Sequence, residues 1–212
     1  MKKILYLLMT TVLCFTFTNC SDDDWSDGDP AMEHIYYVGF EKWFTKTAND
    51  ISYSVKEQIT IPISIQYYSE RLRSYDVATY YYVSSEGLSL GSDYQVVDDK
   101  GAVVQPDSKG AFRLEWPQSK KGVQVVYVKT INAKHIYDES KLDFTGMTEK
   151  EKQDAIAKEK ERIRQLNSFK VLTFDPGAGA ISHPDNIVNS KTNDYEVRSF
   201  TQNYFQTVFI SK

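Results

Sequence analysis

The sequence is poor in cysteine and histidine. Of its 212 residues only two are cysteines, Cys14 and Cys20, and only three are histidines. The histidines, His34, His135 and His183, stand far apart, and none has a second histidine or cysteine at metal-ligand spacing. A zinc site would have to be assembled from distant parts of the chain, so no metal ligand is predicted.

Basic charge and enzyme motifs are also scarce. The chain has 25 Lys and Arg against 29 Asp and Glu, a net charge of −4, whereas nucleic-acid binding depends on basic patches. It lacks a Gly-x-Ser-x-Gly elbow, a His-Glu-x-x-His pair and a phosphate-binding glycine loop. Carboxylates are numerous, but no pair of them is singled out by spacing. We therefore expect no nucleic-acid partner, no enzyme activity and no catalytic residue.

A hydrophobic run long enough to cross a membrane is missing as well. The apolar run at 4–17 is shorter than the ~20 residues a span requires, and it includes threonines. Lys2 and Lys3 precede this run, and polarity changes abruptly at Cys20, which is followed by a serine and three aspartates. Two lysines, then a short apolar run, then an abrupt change to polar residues are typical of a signal peptide. We therefore predict a signal peptide at 1–19. Cys20 then begins the mature chain and carries a covalent lipid.

The segment resembles the type II signal peptides of bacterial lipoproteins. Phe17-Thr18-Asn19-Cys20 stands where those peptides have a lipobox, although the usual Leu at its start and Gly or Ala before the cysteine are absent. Cys14 is a rival lipid site, but cleavage there would leave Phe15 and Phe17 in the linker. An ordinary cleaved secretion signal is the third alternative. If Cys20 carries the lipid, no thiol remains for a disulfide, and the domain depends on its core.

The acidic run behind Cys20 carries a second resemblance. Ser21, Asp22, Asp23 and Asp24 are similar to the export tag of Bacteroidetes-type surface lipoproteins. That resemblance implies a lipid-anchored protein of the outer membrane, displayed at the cell surface. Residues 20–33 are acidic and almost without apolar side chains, so they are expected to form a tether ahead of a domain at 34–212.

Alternating hydrophobicity dominates the predicted domain. Ile59, Ile61, Ile63, Ile65 and Tyr67 alternate with polar residues, which is the pattern of a strand with one buried face. Pro62 lies on the other face of that strand and suggests an edge strand or a bulge, since proline cannot donate to the ladder. Further strands are expected at 35–40, 76–84, 94–97, 111–116, 122–131, 169–174, 195–200 and 204–210.

One segment departs from this rhythm. Residues 148–167 are rich in Glu, Lys and Ala, and Thr148 with Glu151 makes a capping box. A charged helix with a narrow apolar stripe is predicted there, lying on the surface as a crossover. The whole pattern predicts a mainly-β fold: an immunoglobulin-like antiparallel β-sandwich of about seven to nine strands with one charged surface helix.

The order of these features resembles the Calx-β-like, immunoglobulin-like domains of Bacteroidetes-type lipoproteins, some of which are encoded beside glycan-uptake genes. The resemblance lies in the aromatic strand at 36–40, the alternating strand at 59–63, Gly91-Ser92-Asp93-Tyr94, the strand near 111–116 and the final strand at 204–210. Calx-β domains bind calcium through several acidic loops together. Here only Asp93 and Asp98-Asp99 are available, so no cofactor beyond the lipid is predicted.

Aromatic residues are abundant, with 15 Tyr, 11 Phe and 3 Trp. Aromatic rings stack on the faces of sugars when they are exposed, although a sandwich buries about half of them. The candidate ligand-binding residues are Trp43, Tyr68, Tyr80, Tyr82 and Trp116. We expect a lipid-anchored surface protein that binds a glycan, or assists an outer-membrane transporter, without catalysis. The alternative is a structural or adhesion module that docks onto an outer-membrane partner; it would show a broad apolar patch rather than exposed coplanar rings.

Overall fold

The computed structural model describes residues 34–40, 52–177, 187–200 and 203–212. These residues form eleven strands and one α-helix, so the predicted mainly-β fold with one helix is confirmed. The strands are β1 (Ile35–Phe40), β2 (Ser52–Lys56), β3 (Thr60–Tyr68), β4 (Val77–Ser84), β5 (Tyr94–Val97), β6 (Ala111–Trp116), β7 (Gly122–Thr130), β8 (Ser168–Leu172), β9 (Val188–Lys191), β10 (Glu196–Ser199) and β11 (Phe205–Ser211). The helix α1 spans Glu149–Leu166.

The strands form two sheets. The six-stranded sheet has the order β5-β7-β3-β1-β10-β9, and the five-stranded sheet has the order β2-β11-β8-β4-β6. The neighbours β3 and β7 are antiparallel over eight residue pairs, from Thr60 opposite Lys129 to Tyr67 opposite Gly122. The short strand β2 runs parallel to β11.

The two sheets pack face to face around one core. Tyr94 of the six-stranded sheet stacks on Phe169 of the five-stranded sheet, with ring centroids 4.9 Å apart. Tyr67 stacks in the same way on Trp116, at 5.0 Å. Burial raises the pKa of the Tyr94 hydroxyl to about 12, so this ring is neutral throughout the physiological range. These contacts between the inner surfaces confirm the predicted β-sandwich.

Strand β3 has the predicted alternation, but it is not an edge strand. Its residues Ile61, Ile63, Ile65 and Tyr67 are buried in the core. β3 lies between β7 and β1, and among the described residues its pairing with β1 runs from Ile65 to Tyr68. Pro62 therefore lies beyond the stretch paired with β1, while its other side faces Tyr127 of β7. In the described part of the chain only β7 pairs with β3 at Pro62, and a proline is tolerated where one side of its strand makes no ladder bond.

The structure has more strands than the seven to nine that were expected. β2 has the sequence Ser-Tyr-Ser-Val-Lys and β9 has Val-Asn-Ser-Lys. β9 has one apolar residue and no alternation, while β2 alternates over only five residues, which is too short to stand out as a strand. β2 is held by its pairing with β11, and β9 by its pairing with β10.

The helix α1 confirms the predicted charged surface helix. The Thr148 hydroxyl caps the Glu151 amide, and the Glu151 carboxylate accepts from the Thr148 amide at 2.7 Å. No residue of α1 is buried. The helix carries the chain from β7 in one sheet to β8 in the other. Among the described residues, no helix combines the length and the apolar character needed to cross a membrane.

The described residues from Tyr36 onward belong to one compact unit. The predicted signal peptide at 1–19 and the predicted tether at 20–33 lie outside the described residues. Both stay predictions, as does the boundary between tether and domain.

Candidate binding face

The outer surface of the five-stranded sheet is filled by its own side chains. Four residues in register across it form a row: Phe205 faces Leu172, Leu172 faces Tyr82, and Tyr82 faces Ala111. Leu172 and Ala111 are buried, and Tyr82 is only 9 % exposed. Phe205 is partly buried, as are the rings of Tyr80 and Phe174, which pack against the row.

Cations cover more of the same surface. The Arg164 guanidinium of α1 lies 3.6 Å from the centre of the Phe209 ring. The Lys170 ammonium lies 5.1 Å from the centre of the Phe205 ring. Cations in these positions are attracted to the ring faces, so those faces are occupied by the protein itself. This surface therefore offers little apolar area to a partner.

The outer surface of the six-stranded sheet is different, because its central strands leave apolar side chains uncovered. On β7, Val123 is 46 % exposed and Val125 is 42 % exposed. On the neighbouring strand β3, Tyr68 is 39 % exposed. We call this surface the β3–β7 face and define it by the outward residues of the two strands, which are Thr60, Pro62, Ser64, Gln66, Tyr68, Val123, Val125, Tyr127 and Lys129.

The register of the two strands brings these side chains together. Val123 lies opposite Gln66, Val125 opposite Ser64, and Tyr127 opposite Pro62. Alternate residues of a strand lie on the same side of the sheet, so Val123, Val125 and Tyr127 form an apolar row along β7, with Gln66, Ser64 and Pro62 of β3 beside it. The outward positions of β3 and β7 hold one charge, on Lys129, and no carboxylate. The β3–β7 face is thus nearly neutral in a chain of net negative charge.

Aromatic rings collect at one end of this face. Tyr37 of β1 lies opposite Tyr68, and its ring stacks on Phe200 with centroids 5.4 Å apart. Gly39 makes room for that stack, since a Cβ at this position would lie 2.6 Å from Cδ2 of Phe200. Gly39 in turn faces Gln66, an outward residue two positions before Tyr68. Three rings and a hydrogen-bonding amide therefore share this end.

The sequence-predicted binding residues are distributed over different surfaces. Tyr68 lies on the β3–β7 face, whereas Tyr80 and Tyr82 lie together on the outer side of the five-stranded sheet. Trp43 lies outside the described residues, as do Cys20 and the acidic run Ser21, Asp22, Asp23 and Asp24. The predicted set is thus split, and only Tyr80 and Tyr82 are brought together.

Trp116 is a correction to that set. It is 3 % exposed, and its indole N–H donates to the Thr79 hydroxyl at 2.8 Å inside the core. Because its ring stacks on Tyr67 between the sheets, Trp116 presents no face to a ligand. Within the tyrosine run, Tyr81 points into the core and stacks on Phe112, as expected for the middle residue of three in a strand.

The acidic residues considered for calcium serve the backbone. The Asp93 carboxylate accepts from the Ser89 amide at 2.9 Å and lies 3.4 Å from the Asn132 side-chain amide. The Asp98 carboxylate accepts from the amides of Lys100 and Ala102. These are the bonds of capped turns. In the described part of the chain, no three His, Cys, Asp or Glu side chains come together as a metal site would require.

His135 likewise makes hydrogen bonds that join backbone segments. A ring nitrogen of His135 lies 2.9 Å from the Gly87 carbonyl oxygen, and its backbone bonds on both sides to the Asn167 side chain. This cluster joins the end of α1 to the turn before β5. His34 is exposed, and His183 lies outside the described residues.

Sequence reasoning missed Tyr37, Phe200, Val123, Val125 and Tyr127 as surface residues. For the three residues of β7 a signal was available, because residues 122–131 are apolar on both faces of the strand. β7 is flanked by β5 and β3. Only its inner side chains, such as Val126 and Val128, are buried, so the outer valines mark a surface rather than a second core.

No protein-family model matches the sequence, and no curated protein is significantly similar to it.

Proposed function

We propose that this chain is a lipid-anchored, cell-surface binding protein that acts without catalysis. Cys20, at the point where the apolar leader gives way to the acidic run, carries the lipid. The acidic tether and the outer-membrane location follow from the same N-terminal pattern. The domain then presents a binding surface to a partner outside the cell.

The β3–β7 face is the observation that supports binding. Exposed aliphatic and aromatic side chains gathered on one surface are typical of sites where proteins meet. The exposed side chains here are those of Val123, Val125 and Tyr68. The residues opposite the two valines are uncharged, so an apolar partner surface would bury no charge against them. An outer-membrane protein with a complementary apolar surface is the partner that this face fits best.

Paired aspartate substitutions test this partner. Val125→Asp places a charge in the middle of the β3–β7 face, while Ile136→Asp changes a residue that is 61 % exposed in the loop after β7. The tagged full-length variants are purified from the membrane fraction, and co-purified proteins are quantified by mass spectrometry. We expect at least one outer-membrane protein to be lost with Val125→Asp and kept with Ile136→Asp. The same protein set in both variants would contradict the proposal.

A glycan is the second candidate, and the aromatic end of the face supports it. Tyr68 is exposed beside Tyr37, and the Gln66 amide is in reach of sugar hydroxyls. Affinity electrophoresis through gels containing different polysaccharides provides the test. Retardation that is lost in Tyr68→Ala and kept in Tyr80→Ala would favour a glycan at this end. Equal migration in every gel would leave the protein partner as the ligand.

The lipid anchor has its own test. Cells that express the wild-type chain, Cys20→Ala or Cys14→Ala are grown with labelled palmitate. We expect the label to be lost only in Cys20→Ala, because Cys14 lies within the removed leader. Undiminished labelling of Cys20→Ala would contradict the assignment of Cys20.

A further inference from the structure

The N-terminal end of β1 lies at one end of the sandwich. Tyr36 begins the compact unit, and its neighbour Tyr37 pairs with Tyr68, the last residue of β3. The loop 69–76 leaves β3 at this point, and the segment 117–121 reaches the start of β7, where Gly122 pairs with Tyr67. We call residues 69–76 and 117–121 the entry end.

Hydrogen bonds hold the two segments of the entry end to each other and to the sheet. The Arg73 amide donates to the Gln118 carbonyl at 2.8 Å, and the Arg73 side chain donates to the Tyr36 hydroxyl at 3.0 Å. The Tyr67 and Ser119 hydroxyls lie 2.7 Å apart in the interior. These hydrogen bonds fix both segments of the entry end to the sheet.

That surface combines an exposed apolar side chain with positive charge. Leu72 is 63 % exposed, the highest value among the large hydrophobic side chains of the described residues. Lys120 and Lys121 are exposed in the adjoining segment. The entry end holds four cations and two carboxylates, whereas the chain as a whole has a net charge of −4. The cations are Arg71, Arg73, Lys120 and Lys121, and the carboxylates are Glu70 and Asp76.

The length of chain before Tyr36 keeps the entry end near the anchor. Cys20 and Tyr36 are sixteen positions apart, which even a fully extended chain spans in only about 55 Å. A tether of this length raises the effective concentration of the membrane at the entry end, so weak contacts there become populated. Such contacts are made by an apolar side chain that enters the interface and by cations that bind lipid phosphates.

We propose that the entry end contacts the membrane surface, with Leu72 in the interface and Lys120 and Lys121 against anionic lipid phosphates. This inference rests on the lipid anchor at Cys20 proposed above. It assigns the domain an orientation in which the entry end faces the bilayer. β3 and β7 then rise from the membrane, and their shared face is accessible from the side.

An environment-sensitive fluorophore on a cysteine provides the test. The lipid occupies the Cys20 thiol, so Leu72→Cys introduces the one thiol of the mature chain. Ile136→Cys is the matched control, because it is 61 % exposed and follows the other end of β7, about 27 Å along the strand. Lipidated full-length protein is reconstituted in phosphatidylcholine vesicles with or without phosphatidylglycerol, and thermal unfolding confirms that both variants fold.

We expect a blue shift at position 72 in the vesicles with phosphatidylglycerol, and no shift at position 136. Lys120→Gln with Lys121→Gln, or added salt, should reduce the shift at position 72. Equal spectra at the two positions, in protein that sediments with the vesicles, would overturn the membrane contact and leave the anchor intact. Failure of the protein to sediment, with dye found on Cys20, would overturn the anchor and the contact together.

Discussion

The side chain of Asn189 does for β4 what a neighbouring strand would do. Its amide oxygen accepts from the Tyr80 amide at 2.9 Å, and its amide nitrogen donates to the carbonyls of Tyr80 and Thr173, both at 2.6 Å. β8 pairs only with Tyr82–Ser84, so this part of β4 is outside the ladder between them. Asn189, in a short polar strand, thus hydrogen-bonds to backbone groups of the other sheet. A buried backbone group without such a partner lowers the free energy of unfolding.

Asn189→Asp separates the donor role from the acceptor role. The carboxylate still accepts from Tyr80, but it cannot donate to the two carbonyls. We expect a loss of about 2 kcal/mol in the free energy of unfolding, measured with urea. Asn193→Ala, in the exposed turn between β9 and β10, should change it by less than about 0.5 kcal/mol. Equal losses in the free energy of unfolding for the two substitutions would contradict the assigned role of Asn189 in bonding the backbone of β4.

Glu196 links the stability of the same region to pH. Lys191 donates to its carboxylate at 2.6 Å and Arg198 at 2.7 Å, and these bonds hold the pKa of the carboxyl below its usual value. A carboxyl with a lowered folded pKa contributes stability above its unfolded pKa and loses it as the pH falls through the folded pKa.

Glu196→Gln should therefore lower the free energy of unfolding by about 1 kcal/mol at pH 7. The difference in the free energy of unfolding between the variant and the wild type should disappear as the pH falls below the ordinary pKa of a glutamate. Chemical unfolding at pH 7, 5 and 3 provides the measurement, with Glu86→Gln in an exposed loop as the control. A gap that is constant across this range would contradict the assigned role of the carboxylate.

At the scale of elements, the sequence is informative where one signal dominates. β3 was predictable because its isoleucines alternate over nine residues, and α1 because Thr148 and Glu151 mark its start. β2 and β9 were not, because they are only five and four residues long, and β2 pairs with β11 at the other end of the chain. Pro62 was misleading because the neighbours of β3 in the sheet are a tertiary property.

The helix α1 depends on its cap, because none of its residues is buried. Thr148→Ala removes the hydroxyl that accepts from Glu151, and we expect about 1 kcal/mol less stability in the first turns of α1. Hydrogen exchange of the helix amides should reveal this loss more clearly than global unfolding does. Thr148→Ser keeps the cap and should exchange at the wild-type rate. Unchanged exchange in Thr148→Ala would show that packing, rather than the cap, sets the stability of α1.

At the scale of the whole molecule, the two outer surfaces of the sandwich differ. Outward apolar residues occur on both sheets, among them Tyr82 and Leu172 on one and Val123 and Val125 on the other. The first pair is covered and the second is exposed. Sequence predicts the alternation of each strand, but it does not predict which sheet its loops and helix will cover. The sandwich was therefore predictable, whereas the position of the β3–β7 face was not.

Photo-crosslinking in intact cells tests most directly whether the β3–β7 face is the binding surface. A benzophenone amino acid is incorporated at Val125, at Tyr80 on the opposite outer surface, or at Ile136 in the loop after β7. We predict a discrete crosslinked product with an outer-membrane protein from position 125 and none from positions 80 and 136. A product from position 80 or 136, with none from position 125, would contradict the account.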